Sequence, residues 1–308
     1  MRKLRYLWLA VPGLGLAELG LHVWFATRTP RIDEWRALET AVLAHKRAGE
    51  PLVVAPAWAE PLAREAFGDR AFPLDELARA DDASMPSLLE VSVLGARYEP
   101  ARNFRVVSEE HVGRFTLRRL QNPAPVRVRF RFLDHVNPSD LRVTLTRGGV
   151  TVPCPYTDHA LPTAGGLHGE VAFPRARFAC PDPERTFVGV TVIDDQTYAP
   201  RRCIWAAPPP GGVLSLAFRA VPFGSALRGF GGLSYFLFRD SDAPPVTLAL
   251  ASDGAPLGSY THEDASGWHG FSFSTAPFTG QSRGVELGVS APDEAPDRHF
   301  CFALEALE

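Results

Sequence analysis

Five residues in the C-terminal third of the chain have side chains of the types that recognise sugars. Trp268 and Tyr260 offer aromatic planes, and His262, Asp264 and Arg298 offer planar polar groups. A pyranose ring is bound by this combination of an aromatic plane and directed hydrogen bonds. These five residues are therefore the candidate ligand-binding site. The alternative is that Trp268 packs in the core at a strand end, beside a solvated polar turn.

Acidic residues in the same region could gather around a calcium ion, which takes oxygen ligands. The candidates are Asp240, Asp242, Asp253, Glu263 and Asp264. No regular loop spacing connects them, so aspartates that cap turns are the competing interpretation. No other cofactor or metal site is predicted, because the histidines and cysteines lack zinc-ligand spacing.

Two neighbouring aspartates, Asp194 and Asp195, follow a predicted strand over residues 186–193 and could form a catalytic carboxylate pair. The favoured interpretation is that they pair with Arg201 and Arg202 and order a turn.

Three arginines, Arg127, Arg129 and Arg131, alternate with apolar residues, which is most simply the wet face of a strand. An anionic glycan or a phospholipid headgroup is the alternative partner for this stripe.

Enzyme signatures are missing from the sequence. It contains no G-x-S-x-G elbow, no H-E-x-x-H, no P-loop and no Rossmann glycine signature after a strand. The net charge of -3 also gives no sign of a nucleic-acid partner. A non-catalytic protein is therefore expected. The alternative is an enzyme that acts on cell-envelope glycans through carboxylates such as Asp194, Asp195 or Asp264.

An almost continuously apolar segment runs from Tyr6 to Ala26, directly after a basic run. About 20 apolar residues match the bilayer hydrocarbon, so residues 1–30 are predicted to be a membrane anchor, or else a cleaved signal peptide. Glu18 and His22 share one helix face and either contact a membrane protein or pair with each other. Leading basic residues stay in the cytoplasm. The remainder is then periplasmic at a bacterial inner membrane, or secreted if the segment is cleaved.

Four cysteines, an even number, favour disulfides in an exported protein. They are Cys154, Cys180, Cys203 and Cys301. Of the three possible pairings, Cys154–Cys180 with Cys203–Cys301 is predicted. The first bridge would close a loop rich in proline and glycine, and the second would tie the opening strand of a β-domain to its closing strand. The alternative is four buried free thiols.

Mixed helical and strand patterns predict a small α/β unit over residues 31–123. Helices are predicted from Asp33 to about Ala48 and from Pro61 to Phe67, with Gly68 just past the end of the second. Strands are predicted at residues 51–56, 88–94, 104–107 and 115–120.

Period-two alternation begins after Pro125 and continues to the end of the chain. Such alternation is typical of strands with one packed face and one wet face. About ten runs of this kind predict a mostly antiparallel β-sandwich over residues 124–308, as one domain or as two parts, 124–200 and 201–308. The predicted fold class is α+β multidomain, with a membrane helix, a small α/β unit and a jelly-roll-like β-sandwich.

Two stretches resemble known families. Gly254 to Gly258, Asp264 to Thr275 and Arg298 to Ala303 resemble a galactose-binding-like jelly roll, in which a "GW…F" strand and a closing aromatic strand recur. That resemblance implies sugar binding through loops at one end, sometimes beside a structural calcium ion.

Residues 50–123 resemble the soluble region of bacterial lipid-phosphate-sugar-dependent glycosyltransferases, through Glu50 to Asp69 and Phe115 to Pro123. The chain lacks the many membrane helices and the acidic first luminal loop on which that chemistry depends. The resemblance therefore implies an accessory role at the envelope, without the activity.

These patterns together predict a membrane-tethered, non-catalytic envelope protein whose β-sandwich binds carbohydrate or a protein partner. A structural accessory subunit of a membrane glycosyltransferase, recruited through Glu18 and His22, is a further alternative.

Overall fold

The chain forms two compact units in the computed structural model. The first comprises residues 1–76 and 85–125, and the second comprises residues 77–84 and 126–308. The structure describes residues 10–160, 173–181, 186–196, 199–234, 244–263, 267–293 and 298–308.

The first unit combines helices with a four-stranded sheet. The helices are α1 (Ala10–Arg28), α2 (Ile32–His45), α3 (Glu60–Ala71) and the short α4 (Leu74–Leu77). The strands are β1 (Leu52–Ala55), β2 (Ser87–Val93), β3 (Arg105–Val112) and β4 (Phe115–Gln121). The sheet order is β1-β2-β4-β3, in which β1 and β2 are parallel and the other pairs antiparallel.

Helix α2 buries the face that its apolar spacing predicted, with Trp35, Leu38 and Val42 inside. The Trp35 ring centroid lies 4.7 Å from that of Phe115 on β4, so the helix is anchored on the sheet by aromatic packing. In α3, the predicted end at Gly68 is a break at φ 59, after which helical structure resumes to Ala71.

The predicted membrane-spanning helix is not supported. Within the described ranges, no helix has the length and apolar content that crossing a bilayer requires. Helix α1 carries Glu18, His22 and Arg28 together with Pro12 and three glycines, which lower its mean hydropathy. Both Glu18 and His22 are exposed on α1, and their contact with a membrane protein stays a prediction.

The second unit is a β-sandwich, as the period-two pattern predicted. Its strands are β5 (Val128–Arg131), β6 (Leu141–Arg147), β7 (Val150–Pro153), β8 (Tyr156–Thr157), β9 (Arg177–Ala179), β10 (Phe187–Asp194), β11 (Pro200–Ala206), β12 (Gly212–Pro222), β13 (Ala226–Leu233), β14 (Val246–Ser252), β15 (Ala255–His262), β16 (His269–Ser274), β17 (Ser282–Ser290) and β18 (Phe300–Leu307). One sheet has the order β16-β13-β18-β11-β10-β9-β8, with β5 also beside β18. The other has the order β15-β14-β17-β12-β6-β7.

The last eight strands are divided evenly between the two sheets. In one sheet their order is β11-β18-β13-β16, and in the other it is β12-β17-β14-β15. The first strand of the eight therefore pairs with the last, and the second pairs with the last but one. This nested antiparallel pairing is the strand order of a jelly roll.

A large apolar core lies between the two sheets and includes residues from both. It includes Leu214 and Leu216 of β12 together with Phe300 and Phe302 of β18. Successive side chains of a strand point to opposite faces, so Cys301, between the two phenylalanines, belongs to a second cluster on the outer side of its sheet.

Both predicted disulfides are confirmed. Cys154 is bonded to Cys180, 26 residues away, and Cys203 to Cys301, 98 residues away. The second bridge joins the neighbouring strands β11 and β18. Two disulfides are typical of an extracellular or periplasmic protein.

Candidate functional site

Four aromatic rings lie directly on glycines of β13 and β15. The pairs are Gly229 with Phe271, Gly231 with Tyr260, Gly232 with Trp268 and Gly258 with Phe273. A Cβ atom at any of these glycines would lie between 2.3 and 2.8 Å from its ring. Glycine is therefore required at these positions, because it alone permits so close an approach. The four pairs are called the glycine–aromatic seam below.

The seam places two of the predicted site residues on opposite faces of one sheet. Tyr260 lies on Gly231 and Trp268 lies on Gly232. These glycines are consecutive in β13, which pairs with β18 in unbroken register, so their side-chain directions point to opposite faces. Tyr260 consequently packs against the large core and Trp268 packs against the outer cluster. The structure does not bring the two rings into one site.

Trp268 is half-buried, and its ring packs against neighbouring side chains. Its ring is stacked on Phe230 with centroids 6.4 Å apart, and the Arg201 guanidinium lies 5.7 Å from its centroid. Its Nε1 donates a hydrogen bond to the Ala80 carbonyl oxygen at 3.3 Å. The ring thus covers the outer cluster around the Cys203–Cys301 bridge.

Tyr260, which is half-buried, and His262, which is buried, form a hydrogen-bonded polar pair. The Tyr260 hydroxyl and His262 Nδ1 are hydrogen-bonded at 2.8 Å, and the Tyr260 ring is stacked on Phe271 at 4.4 Å. Burial raises the pKa of Tyr260 to about 12. Burial, the nearby His269 and the Arg298 charge together lower the pKa of His262 to about 4. The pair is therefore neutral at physiological pH.

Of the remaining two predicted residues, the structure describes Arg298. Arg298, directly before β18, is fully buried at 0% exposure. Asp264 lies outside the described residues. Among the described predicted residues, Tyr260 is bonded to His262 and the charge of Arg298 acts on His262, whereas Trp268 lies on the outer side of the sheet.

We predict that Gly229→Ala destabilises the protein by about 1–3 kcal/mol, because overpacking displaces neighbours. The new Cβ would lie 2.3 Å from the Phe271 ring and 2.9 Å from the Ala303 carbonyl oxygen. Gly288→Ala is the matched control, since Gly288 also lies in a strand and its Cβ would meet Val213 at 3.8 Å, an ordinary contact. Urea unfolding measures both variants. Equal stabilities would show that the seam tolerates a methyl group.

Of the five predicted calcium ligands, Asp253 and Glu263 lie within the described residues, and the calcium site stays a prediction. Asp253 accepts hydrogen bonds from Arg283 Nε at 2.7 Å and from the Gly284 backbone at 3.2 Å, and so ties two strand ends together. Asp240, Asp242 and Asp264 lie outside the described residues. Over the described ranges, no group of three or more metal-binding side chains is found.

Asp195 has the structural role that the arginine pairing predicted. It is fully buried, and it accepts hydrogen bonds from Arg201 Nε at 2.9 Å and from the Ala199 backbone at 3.2 Å. Asp194, its neighbour, is exposed at the end of β10. One carboxylate is thus held inside an ion pair while the other faces solvent, which is not the arrangement of a catalytic pair.

A cavity of about 330 Å³ opens beside β5. Its lining residues are Ser84, Val126, Val128, Arg129, Phe130, Arg131, Asp134 and His135. This β5 pocket lies entirely within the second unit. Phe130 is buried in the core, whereas Arg129 and Arg131 are exposed and line the pocket. The pairing of β5 with β18 shifts register between Phe130 and Val128.

Each basic side chain of the β5 pocket is held by its neighbours. Arg129 Nη1 donates a hydrogen bond to the Phe223 carbonyl oxygen at 3.2 Å, and Arg131 Nε donates to Glu305 at 3.2 Å. The His135 ring is stacked on Phe130 with centroids 4.0 Å apart. The pocket wall therefore presents oriented planar groups to solvent.

The edge of the His135 ring is held by Asp140. Its Nδ1 lies 2.8 Å from Asp140 Oδ2. Hydrogen bonds from Asn137 and from His135 lower the pKa of Asp140, which keeps this carboxylate ionised. The imidazole is thus oriented from both its ring face and its edge.

Sequence reasoning interpreted the arginine stripe as a wet strand face, and the exposure of all three arginines supports that interpretation. It did not find the pocket. The available signal was that Asp134 and His135 follow Arg131 within four residues of the sequence. These residues are joined by a one-turn helix at Phe132–His135.

No protein-family model matches the sequence, and no curated protein matches it. Among solved structures, the M60 catalytic domain with CBM51-1 and CBM51-2 of Clostridium perfringens ZmpB matches with a TM-score of 0.29 and 10% identity. That match covers 67% of this chain and 20% of the other, so the chain spans about a fifth of that protein.

Two smaller carbohydrate-binding modules also match. CBM51 of Clostridium perfringens GH95, in complex with methyl-galactose, has a TM-score of 0.26 and 6% identity, covering 39% of this chain and 79% of that one. A family 29 carbohydrate-binding module has a TM-score of 0.21 and 13% identity, covering 34% of this chain and 68% of that one. Scores this low do not establish a common fold or ligand. The predicted resemblance to glycosyltransferases is not shown by these comparisons.

Proposed function

We propose that this protein is an exported carbohydrate-binding β-sandwich whose ligand occupies the β5 pocket. The observation that carries the proposal is the pocket itself, a polar cavity in which Arg129, Arg131 and the stacked His135 converge. Ligand pockets usually measure roughly 300–1,000 Å³ and fix their ligands through a few well-placed polar groups. A cavity of about 330 Å³ suits a short saccharide.

The chemistry of the wall supports a polyhydroxylated ligand. A guanidinium group is a planar fork of N–H donors that can serve two neighbouring oxygens at once. Arg129 and Arg131 each keep donors beyond the single hydrogen bond described for them. Because these bonds already orient the side chains, little side-chain freedom is lost when a ligand binds.

The β5 pocket is preferred to the site predicted from the sequence. Trp268 and Tyr260 lie on opposite faces of a sheet, and His262 and Arg298 are buried. A saccharide could not reach these groups together without opening the sandwich. The β5 pocket needs no such change, since its arginines are exposed.

Binding without catalysis fits the pocket better than hydrolysis does. Among the described lining residues, Asp134 is the one carboxylate. Glycoside hydrolysis uses a pair of carboxyl groups on either side of the scissile bond. No observation therefore favours the hydrolase alternative.

The test is calorimetric titration of the full chain with a panel of neutral and acidic monosaccharide methyl glycosides. We predict that at least one binds and that Arg129→Ala weakens its affinity by about ten-fold or more, since hydrogen bonds to charged groups contribute about 1.5–3 kcal/mol.

Arg127→Ala is the matched control for that titration. Arg127 lies directly before β5, but its side chain is 81% exposed, pairs with Glu308 and does not line the pocket. Its replacement should leave affinity unchanged. Failure of every glycoside to bind, or equal losses in the two variants, would refute the proposal.

A further inference from the structure

The carboxyl ends of β1 and β2 meet at one edge of the four-stranded sheet. These two strands are parallel, with Ala55 opposite Ser92, so the residues that follow them lie at the same edge. Trp58 follows β1 and is 50% exposed, and Leu94 follows β2 and is 51% exposed. This edge therefore presents two large apolar side chains to solvent, and it is called the Trp58 edge below.

The main chain keeps the Leu94 side chain in solvent. Leu94 lies in the turn after β2 and has φ 56, in the left-handed region that a leucine rarely adopts. Such strained conformations persist where the surrounding structure maintains them, and they cluster at functional sites. The exposure of this apolar side chain is thus fixed by the fold.

Helix α1 ends at the Trp58 edge. Arg114 lies in the turn between β3 and β4, next to Phe115, which is paired with Val93 at the end of β2. The Arg114 Nη1 donates a hydrogen bond to the Thr27 carbonyl oxygen at 2.8 Å. The C-terminal end of α1 is consequently tied to the same edge of the sheet.

Helix α1 is apolar on all sides. Successive residues of a helix are turned by about 100° around its axis, so its exposed large apolar side chains point in every direction. A protein partner covers one face of a helix, whereas lipid surrounds it. A helix that is apolar all round is typical of burial in lipid or in a large core, which favours lipid here. The exposed residues are Val11, Leu14, Leu16, Leu19, Leu21, Val23, Trp24 and Phe25.

The charges at the two ends of α1 are complementary to the phosphate groups of a lipid surface. Within the described ranges Arg28 forms no salt bridge, and its guanidinium lies 4.1 Å from the Trp24 ring centroid. In the sequence, a basic run at residues 2–5 precedes the helix. Tryptophan and basic residues beside an apolar segment are typical of the boundary between lipid tails and headgroups. Arg114 adds no net charge, because it is paired with Glu34 at 3.4 Å.

From these observations we infer that the Trp58 edge lies on a lipid surface, with Trp58 and Leu94 inserted beside α1. Such contact does not require α1 to cross the bilayer. Tryptophan suits this position, because its ring is apolar while its N–H group can bond to water or headgroups. The inference goes beyond carbohydrate binding, since every residue that carries it belongs to the first unit.

Fluorescent labels at single positions test which side chains enter the lipid. The four native cysteines are bonded in pairs, so one cysteine added to the full chain is the reactive thiol. Trp58→Cys and Leu94→Cys are labelled with an environment-sensitive dye and mixed with vesicles of phosphatidylcholine and phosphatidylglycerol. The emission of both labels should shift to shorter wavelength, and spin-labelled lipid in the vesicles should quench it.

Val107→Cys is the matched control. Val107 is also 51% exposed, but it lies beside the residues of β4 that pair with Leu88 and Leu89, towards the opposite end of the sheet. At about 3.4 Å per residue, five residues separate that position from Leu94 by about 17 Å along β2. A label at Val107 should therefore keep its emission when vesicles are added.

Each other outcome contradicts the inference. Absence of vesicle binding would overturn it, as would binding that leaves the labels at positions 58 and 94 unchanged. An equal response at position 107 would show that the Trp58 edge is not the surface in contact with lipid. A response of the two edge labels to unlabelled protein, without vesicles, would assign this edge to self-association instead.

Discussion

Replacement of both Cys203 and Cys301 by alanine is expected to lower the free energy of unfolding by about 4–5 kcal/mol. The bridge closes 98 residues of the sandwich, and the longer the loop, the more a cross-link restricts the unfolded chain. Both cysteines are fully buried beside Trp205 and Phe187, so the loss of the bridge also disturbs the outer cluster. Urea unfolding followed by circular dichroism measures the effect.

The second disulfide supplies the control for that measurement. Cys154–Cys180 closes only 26 residues, and its removal is expected to cost about 3–4 kcal/mol on the same relation. The two loops do not overlap in sequence, so the losses should be close to additive. Under reducing conditions, wild type and the Cys203→Ala/Cys301→Ala variant should become nearly equal. A wild type with the same stability in oxidising and reducing buffer would contradict the structural role of both bridges.

Acidification from pH 6.5 to pH 4 is expected to remove about 3 kcal/mol of stability through His262 alone. His262 is 1% exposed and its pKa is lowered to about 4, first by burial and then by His269 and Arg298. Between those pH values His262 is protonated in the unfolded chain but remains neutral in the folded chain, so stability falls as pH falls. Below pH 4 both states are protonated and this contribution becomes constant.

The measurement is urea unfolding at a series of pH values for wild type and His262→Gln. The glutamine variant should be less stable at neutral pH, because the hydrogen bond to Tyr260 changes, but it should lack the extra loss between pH 6.5 and 4. His159→Gln, at an exposed histidine, is the control and should keep the wild-type pH dependence. Parallel curves for wild type and His262→Gln would exclude a buried neutral imidazole.

Local patterns in the sequence were sufficient for most of the fold. Alternation with a period of two places Leu214, Leu216 and Phe218 on one face of β12, and all three are core residues. The helical spacing of Trp35, Leu38 and Val42 similarly predicted the buried face of α2. These features depend on the chain within a few residues, which is why one sequence reveals them.

The candidate site depended on contacts between distant parts of the chain. Trp268 and Tyr260 are eight positions apart in the sequence. They lie on opposite faces of the sheet because Tyr260 packs on Gly231 and Trp268 packs on Gly232, two consecutive residues of another strand. The β5 pocket likewise exists because β5 pairs with β18, more than 170 residues later, which brings Arg131 to Glu305. The residue spacing within a single segment does not predict that strand pairing.

The predicted membrane helix, which is not supported, was inferred from a different kind of pattern. The apolar run from Tyr6 to Ala26 was judged by its length, whereas polar and helix-weakening residues within α1 reduce its hydropathy.

The glycine–aromatic seam also protects strand β13 against mispairing. If β13 slipped by one residue in one direction, Phe230 would come beneath Tyr260; in the other direction, Leu233 would come beneath Trp268. In either shifted register a large side chain would clash with an aromatic ring, because the space beneath that ring accommodates only the hydrogen of a glycine. A one-residue slip normally exchanges the two faces of a strand, and here steric exclusion penalises both alternatives. The glycines thus favour one register of β13 when the sandwich assembles.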